Sequence, residues 1–427
     1  MDANKKHVRT WLLFAGAGAL VVVGLLLHLL PGLTKATQPV PIAVVTPVPT
    51  PTPPPVPVVP DTPPAPPTPI AEPTPEPVQP PTPVAEDRPK IDVVFALDTT
   101  SSMTGLIEGA KQKIWSIASH IASGRPTPDL RVGLVPYRDR GDAYVTKVFP
   151  LTTNLDEVYS RLRTFRAEGG GDPPEDVRQA LVDSIRRMNW TPGKHVMRVI
   201  FLVGDSPPHD DYGDEPTESA IAAEARRKGI VINTIRCGDL ESTGQVWAQI
   251  ARASSGAYST INQNGGMLAV KTPMDDRLRE LNTRLSETAV YYGADKDRHA
   301  AEERAETNRG MAPELQAESA RYRALSGYVD SADIVTQVGR GTRVEDLPAT
   351  ALPAPMQAMG QAERRAYIEE KKAERERITH EVMEVSKKRD EYLKSAAPRA
   401  APGAPAAFDD EVKDTVAKQA KSYGIEY

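Results

Sequence analysis

Between residues 90 and 292, short apolar runs alternate with amphipathic stretches. KIDVVFALD, LRVGLVPYRD, YVTKVFPL, HVMRVIFLVGD, GIVINTIRCG and GAYSTI are rich in Val and Ile and read as strands. MTGLIEGAKQKIWSIASHIAS, NLDEVYSRLRTFRAEG, PEDVRQALVDSIRRM, TESAIAAEARRKG and QVWAQIARASS lie between them and repeat apolar residues at helical spacing. The helix-like PMDDRLRELNTRLSETAVYYG closes the block. This alternation predicts an α/β fold, a doubly wound and mainly parallel sheet with helices on both faces. The second and third strands are joined only by RGDA, which predicts an antiparallel hairpin at one edge. Arg140-Gly141-Asp142 within that link spells an adhesive tripeptide, but its expected job is to turn the hairpin.

The pattern changes at both ends. Residues 11–30, WLLFAGAGALVVVGLLLHLL, hold no Asp, Glu, Lys or Arg, and about 20 such residues suit a membrane-crossing helix. Lys5, Lys6 and Arg9 precede the run and only Lys35 closely follows it. This bias places residues 1–10 in the cytoplasm and the body outside, as a single-pass inner-membrane protein facing the periplasm. The alternative is secretion after signal cleavage near Ala36. From residue 38 to 89 the chain is mostly Pro, Val, Thr and Ala, which favours extended polyproline II and makes a stiff spacer. Residues 294–427 read as a mostly helical extension with one long helix near 361–394 and a flexible SAAPRAAPGAPAA segment. In that helix an apolar seam of Ile368, Ile378, Val382, Val385 and Tyr392 is interrupted by Lys371, Arg375 and Arg389. A coiled coil wants such a seam filled, so the helix is expected to fold back on the body or meet a partner.

Composition narrows the function. The net charge is −5 with a pI near 5.9, and no basic patch stands among aromatics, so nucleic acid is not an expected partner. The lone Cys237 has no partner for an intrachain disulfide and reads as a buried, inert thiol.

The candidate chemistry lies where apolar runs stop. FALDTTSSM and FLVGDSPPHDDYGDE both break at an aspartate, and AEGGGDPPEDV enters a helix after three glycines. In such sheets ligands gather at the carboxyl ends of strands, and Asp, Thr and Ser are hard oxygen ligands suited to Mg²⁺ or Ca²⁺. The plain alternative for Asp98, Thr100 and Ser102 is helix capping. His209, Asp210, Asp211, Asp214 and Glu215 read as a solvated loop rather than a second cation site, with His209, Asp210 and Asp211 as a partner-facing rim.

Residues 90–293 resemble the von Willebrand factor type A family, in a bacterial membrane-anchored branch, through DTTSSM, YRDRGDAYVTKVFPLT, AEGGGDPPEDV and VGDSPPHDDY. The resemblance implies a metal-ion-dependent adhesion site with a D-x-[ST]-x-S motif, here Asp98, Thr100 and Ser102, and a later aspartate, here Asp205. The family usually has a threonine in the second loop, where this chain offers Asp172. Either Asp172 binds through water, or a third carboxylate there holds the metal harder and an acidic partner less. The implied cofactor is Mg²⁺, or Mn²⁺ or Ca²⁺, and the implied role is a binding module for an extracytoplasmic protein or glycan. A metal-dependent hydrolase and an envelope protein stapled by its metal are the rival readings. No G-x-S-x-G elbow surrounds Ser101 or Ser102, so a serine hydrolase is not expected.

Overall fold

The computed structural model describes residues 88–171, 173–267, 270–396 and 406–427. The expected membrane span at 11–30, nearly all of the proline-rich stretch, Asp172 and most of SAAPRAAPGAPAA lie outside the described residues. Among the described residues no helix is long and apolar enough to cross a membrane.

Six strands form one sheet: β1 (Lys90–Asp98), β2 (Asp129–Tyr137), β3 (Phe149–Thr152), β4 (Val196–Gly204), β5 (Ile230–Cys237) and β6 (Tyr258–Ile261), in the order β3-β2-β1-β4-β5-β6. All neighbours are parallel except β2 and β3, which make the antiparallel edge hairpin. β3 is shorter than its apolar pattern. Residues 144–148 cross towards the end of β1 instead, where the Tyr144 hydroxyl meets Thr99 Oγ1 at 2.7 Å.

β1 and β4 are buried on both faces, as a central pair of parallel strands must be. Alternate residues therefore face two cores. On one side Val93, Phe95 and Leu97 pack with α1 (Thr104–Ala122) and α2 (Leu155–Arg163). On the other, Val94 and Ala96 pack with α3 (Val177–Arg186), α4 (Glu218–Arg227) and α5 (Glu241–Ala253). α3 starts later than its apolar pattern because Asp176 caps it, accepting from the Gln179 amide at 3.0 Å.

After the sheet come α6 (Asp275–Glu287), α7 (Asp295–Arg309), α8 (Pro313–Ser326), α9 (Ile334–Gly339), α10 (Ala354–Gln357), α11 (Gln361–Ala396) and α12 (Phe408–Ala420). α6, α8 and α11 share a core of Leu278, Leu281, Leu285, Ala317, Ala320, Ile378 and Val382. The arginines that interrupt the α11 seam are themselves buried. Arg375 pairs with Asp333 at 2.8 Å, and Arg389 pairs with Asp275 at 2.8 Å and Glu318 at 2.5 Å. From Ile368 to Arg389 the seam thus closes on α6, α8 and α9 of the same chain once its charges are matched, while Tyr392 beyond it is exposed.

α12 returns to the sheet. Phe408, Val412, Val416 and Ala420 enter the same core as α1, and the Phe408 ring lies 6.1 Å from that of Phe95. Gln419 and Asn233 of β5 exchange side-chain amide bonds at 2.7 and 3.2 Å. Beyond α12, Glu426 pairs its backbone with Arg125 at 2.8 and 3.0 Å. The last helix of the chain therefore completes the first face of the sandwich. Truncating its buried anchor, Phe408→Ala, should cost about 3–5 kcal/mol of unfolding free energy. Exposed Lys418→Ala should change it by no more than about 0.5 kcal/mol, both read by denaturant titration.

Candidate metal centre

β1 and β4 are adjacent and parallel, with Leu97 opposite Val203, so their ends bring Asp98 and the Gly204-Asp205 pair side by side. The approach is close. A Cβ on Gly204 would stand 2.9 Å from Asp98 Cβ and 3.0 Å from Asp98 Oδ2, so only glycine lets the Asp98 side chain pass over the end of β4.

Asp98 is fully buried. Its Oδ1 accepts from the Thr100 amide at 2.9 Å and from Thr100 Oγ1 at 2.7 Å. Its Oδ2 is buried with no hydrogen-bond partner. Thr100 Oγ1 lies 3.3 Å from Ser102 Oγ. Neither Thr100, before the short 3₁₀ turn, nor Met103, before α1, makes a side-chain cap bond. Capping therefore does not account for these hydroxyls.

Asp205 follows β4. Its Oδ1 accepts from Ser206 Oγ at 3.1 Å, and its Oδ2 accepts from Gln263 Nε2 at 2.5 Å. The same Gln263 nitrogen donates to the Ser102 carbonyl at 3.3 Å, which links the end of β4 to the turn before α1. Thr243 Oγ1 holds the Asp205 carbonyl at 2.8 Å.

The glycine-rich loop closes over the other side. Gly169 O accepts from the Ser101 amide at 3.3 Å and its hydroxyl at 2.7 Å, while the Glu168 amide donates to Thr99 O at 3.1 Å. Asp142 Oδ2 accepts from the Gly170 amide at 3.2 Å, so the adhesive-looking triplet helps frame the site. Arg140 braces the acidic loops from Asp176, Asp214 and Glu215 at 3.2, 3.0 and 2.8 Å, with its guanidinium over the Tyr212 ring.

The buried acid that this loop presents is Glu175. Its Oε2 has no partner, and its amide donates to Pro207 O at 3.0 Å. Burial, then the repulsion of Asp98, raises the Glu175 carboxyl to about 9. Burial, then Asp205, raises Asp98 to about 7. Burial also drives the Tyr137 phenol well up, helped by Asp98, Glu175 and Asp205 in turn. One hydroxyl thus feels three carboxyl groups.

Of the expected rim, the side chains of Asp210 and Asp211 are 99% and 77% exposed. His209 is turned inward. Its Nδ1 meets Asp211 at 2.9 Å, its Nε2 meets Asp139 at 3.2 Å, and its ring stacks on Tyr212. Burial pulls the His209 pKa down, but these two acids outweigh it and the net shift is upward.

The structure thus gathers Asp98, Thr100, Ser102 and Asp205 at one edge of the sheet. Among the described residues no group of three or more His, Cys, Asp or Glu side chains gathers to hold a metal. Two carboxylates, one of them with its buried Oδ2 orphaned on Asp98, and two hydroxyls are nevertheless a donor set that suits a hard divalent cation. Glu175 and Gln263 were not legible as site residues. Glu175 sits three positions from the more conspicuous Asp172, and nothing local marks Gln263 for its bond to an acid in another loop.

Residues 92–273 match the family model described as the von Willebrand factor A domain. An alpha-protein kinase of Dictyostelium discoideum is 30% identical over 120 residues, which are 28% of this chain and 19% of that protein. A putative ariadne-like RING finger protein of Acanthamoeba polyphaga mimivirus is 24% identical over 122 residues, 28% of this chain and 11% of that protein. The chain thus spans only a small part of the curated relatives it matches. Among solved structures, the conserved hypothetical protein BatB from Bacteroides thetaiotaomicron is 17% identical at a TM-score of 0.30, covering 40% of this chain and 90% of that one. A proximal thread matrix protein from the mussel byssus, described with zinc in its MIDAS motif, is 18% identical at a TM-score of 0.32, covering 42% of each chain. The match to the von Willebrand factor A domain model thus spans the sheet and its flanking helices, a little under half of the chain.

Proposed function

We propose that this domain is a binding module which holds a divalent cation at the ends of β1 and β4 and uses it to bind a protein or glycan partner. The observation that carries this reading is Asp98 Oδ2, a buried carboxylate oxygen that no donor meets in good hydrogen-bond geometry, with only the Asp205 backbone amide near enough to favour its charged form. A buried carboxylate without a partner is costly, and the group must either stay protonated or meet a cation. Asp98 and Asp205 would hold the cation with their carboxylates, and Thr100 and Ser102 with their hydroxyls. Mg²⁺, Mn²⁺ and Ca²⁺ suit these all-oxygen donors. The cation would supply an electrophilic point for an acidic or hydroxyl group of the partner.

Arg140, the basic side chain that the acidic loops bring to the site, is already engaged by Asp176, Asp214 and Glu215, so a phosphate ester would have to compete with three carboxylates for it. That supports binding over hydrolysis. The charge bias around residues 11–30 and the proline-rich stretch after them support a tethered module projected from the outer face of a cytoplasmic membrane. A reporter fused at the C-terminus should then be active as a periplasmic form only, and cytoplasmic activity would overturn the topology.

Adding Mg²⁺ or Mn²⁺ in excess over chelator should raise the melting temperature of the purified chain, by several degrees once the ion is about a hundredfold above its Kd. Asp98→Ala should abolish the rise. Equal melting with and without chelator in the parent protein would remove the cation from the reading. Capture of an extracytoplasmic partner should be lost in chelator and in Asp98→Ala alike.

Linkage gives a second expectation. The Asp98 carboxyl has its ordinary value of 3.8 in the unfolded chain and is raised by burial to about 7 in the fold. Between those values the folded state holds the extra proton, so the Asp98 contribution to stability in chelator should fall as pH rises from about 4 to about 7, while Glu175, raised to about 9, extends the decline beyond pH 7. The loss from this group is on the order of 4 kcal/mol. Asp98→Asn should flatten the slope in urea titrations across that window. An unchanged slope would show that Asp98 is not the titrating group.

A further inference from the structure

The donor that Asp205 already has is Gln263. Its Nε2 sits 2.5 Å from Asp205 Oδ2 and 3.3 Å from the Ser102 carbonyl. An amide nitrogen is the electropositive end of its side chain, so it stands against this carboxylate as a cation would. We infer that Gln263 is a built-in competitor for the cation, occupying the Asp205 side of the site and setting how tightly a divalent ion is held. This rests on the proposed cation-dependent reading and adds to it the residue that tunes the affinity.

Three features show that the amide is held in place. Gly238, after β5, has a left-handed φ of 74°, and a Cβ there would collide with Gln263 Oε1. Gly105 of α1 leaves room for the neighbouring Asn264, since a Cβ on it would stand 2.6 Å from Asn264 Cβ. Gly265 O accepts from the Phe408 amide at 3.0 Å, which ties this loop to the start of α12. The loop is therefore pinned by α1, α12 and the end of β5, while the Gln263 side chain reaches the site from the solvent side.

For Asp205 to accept a cation through Oδ2, Nε2 must release it. The work of breaking that bond is subtracted from the affinity for the ion. A hydrogen bond to a charged acceptor is worth enough that its removal should tighten binding roughly tenfold. Gln263→Ala removes the donor, and Gln263→Asn is one methylene too short to keep the bond with the same backbone.

Mn²⁺ titration of the full chain, followed by calorimetry and by the paramagnetic signal of free Mn²⁺, tests this. Both variants should bind Mn²⁺ roughly tenfold more tightly than the parent, while melting no higher than the parent in chelator. If the parent binds Mn²⁺ and the variants bind equally or more weakly, Gln263 is a bystander or a helper and the inference falls, with the cation-dependent reading intact. If neither parent nor variants bind Mn²⁺, or Mg²⁺ in competition, both fall together. A variant that fails to melt cooperatively in chelator is replaced by Gln263→Met, which keeps the length and lacks the amide donor, and the same tenfold criterion decides.

Discussion

The site depends on one constraint: the central strand of the sheet must end in a carboxylate that water cannot reach. β1 is covered on both faces, so when its apolar run stops at Asp98 the side chain is still inside the protein. Two Thr100 donors satisfy one oxygen and leave the other bare. Much of the surrounding architecture serves to keep it so. Gly204 lets the carboxylate lie over β4, the Gly169 carbonyl clamps Ser101, and Tyr137 fills the space beneath. A surface aspartate would have its charge stabilised by hydration and would have no comparable demand for a cation.

The parallel topology explains why separate loops meet there. Strands β1 and β4 run the same way in register, so both deliver their polar ends to one edge. The glycine-rich loop after α2 and the acidic loop after β4 then lock to each other through Glu175 and Pro207. The opposite requirement, a covered sheet face, is met by the far end of the chain. α12 supplies Phe408, Val412 and Val416 to the core beside α1, after more than a hundred residues of intervening helices.

The alternation of apolar runs made the strands and the edge hairpin legible, because a strand buried on both faces has to be uninterrupted in Val, Ile and Phe. Asp98, Thr100, Ser102 and Asp205 were legible for the same reason, as polar residues that end such runs. What depended on distant pairing was not. Arg375 and Arg389 looked like breaks in an apolar seam, because a buried charge is recognisable only with its partner, and Asp333, Asp275 and Glu318 lie far away in sequence. Gln263 has the same character, since an amide among polar loop residues carries no mark of the acid it meets. Phe408, Val412, Val416 and Ala420 recur every four residues as a helix face does, but nothing local says that this face returns to the sheet beside α1.

The acid in the second loop bears on what the site can hold. A third ionised carboxylate would add negative charge, strengthen the grip on a cation and repel an acidic partner. Glu175 is buried against Asp98, and that raises its carboxyl to about 9. With no cation beside it, it is therefore protonated at neutral pH and faces the site as a neutral group that can donate a hydrogen bond. The charge offered to a cation by these three groups comes from Asp98 and Asp205. A divalent ion between two carboxylates is close to neutral, and a partner's acid would then meet the field of the ion's open face and the hydroxyls of Thr100 and Ser102. In the cation-free site Glu175 is in this respect closer to a hydroxyl than to an aspartate, and a divalent ion held beside it would draw it toward its ionised form.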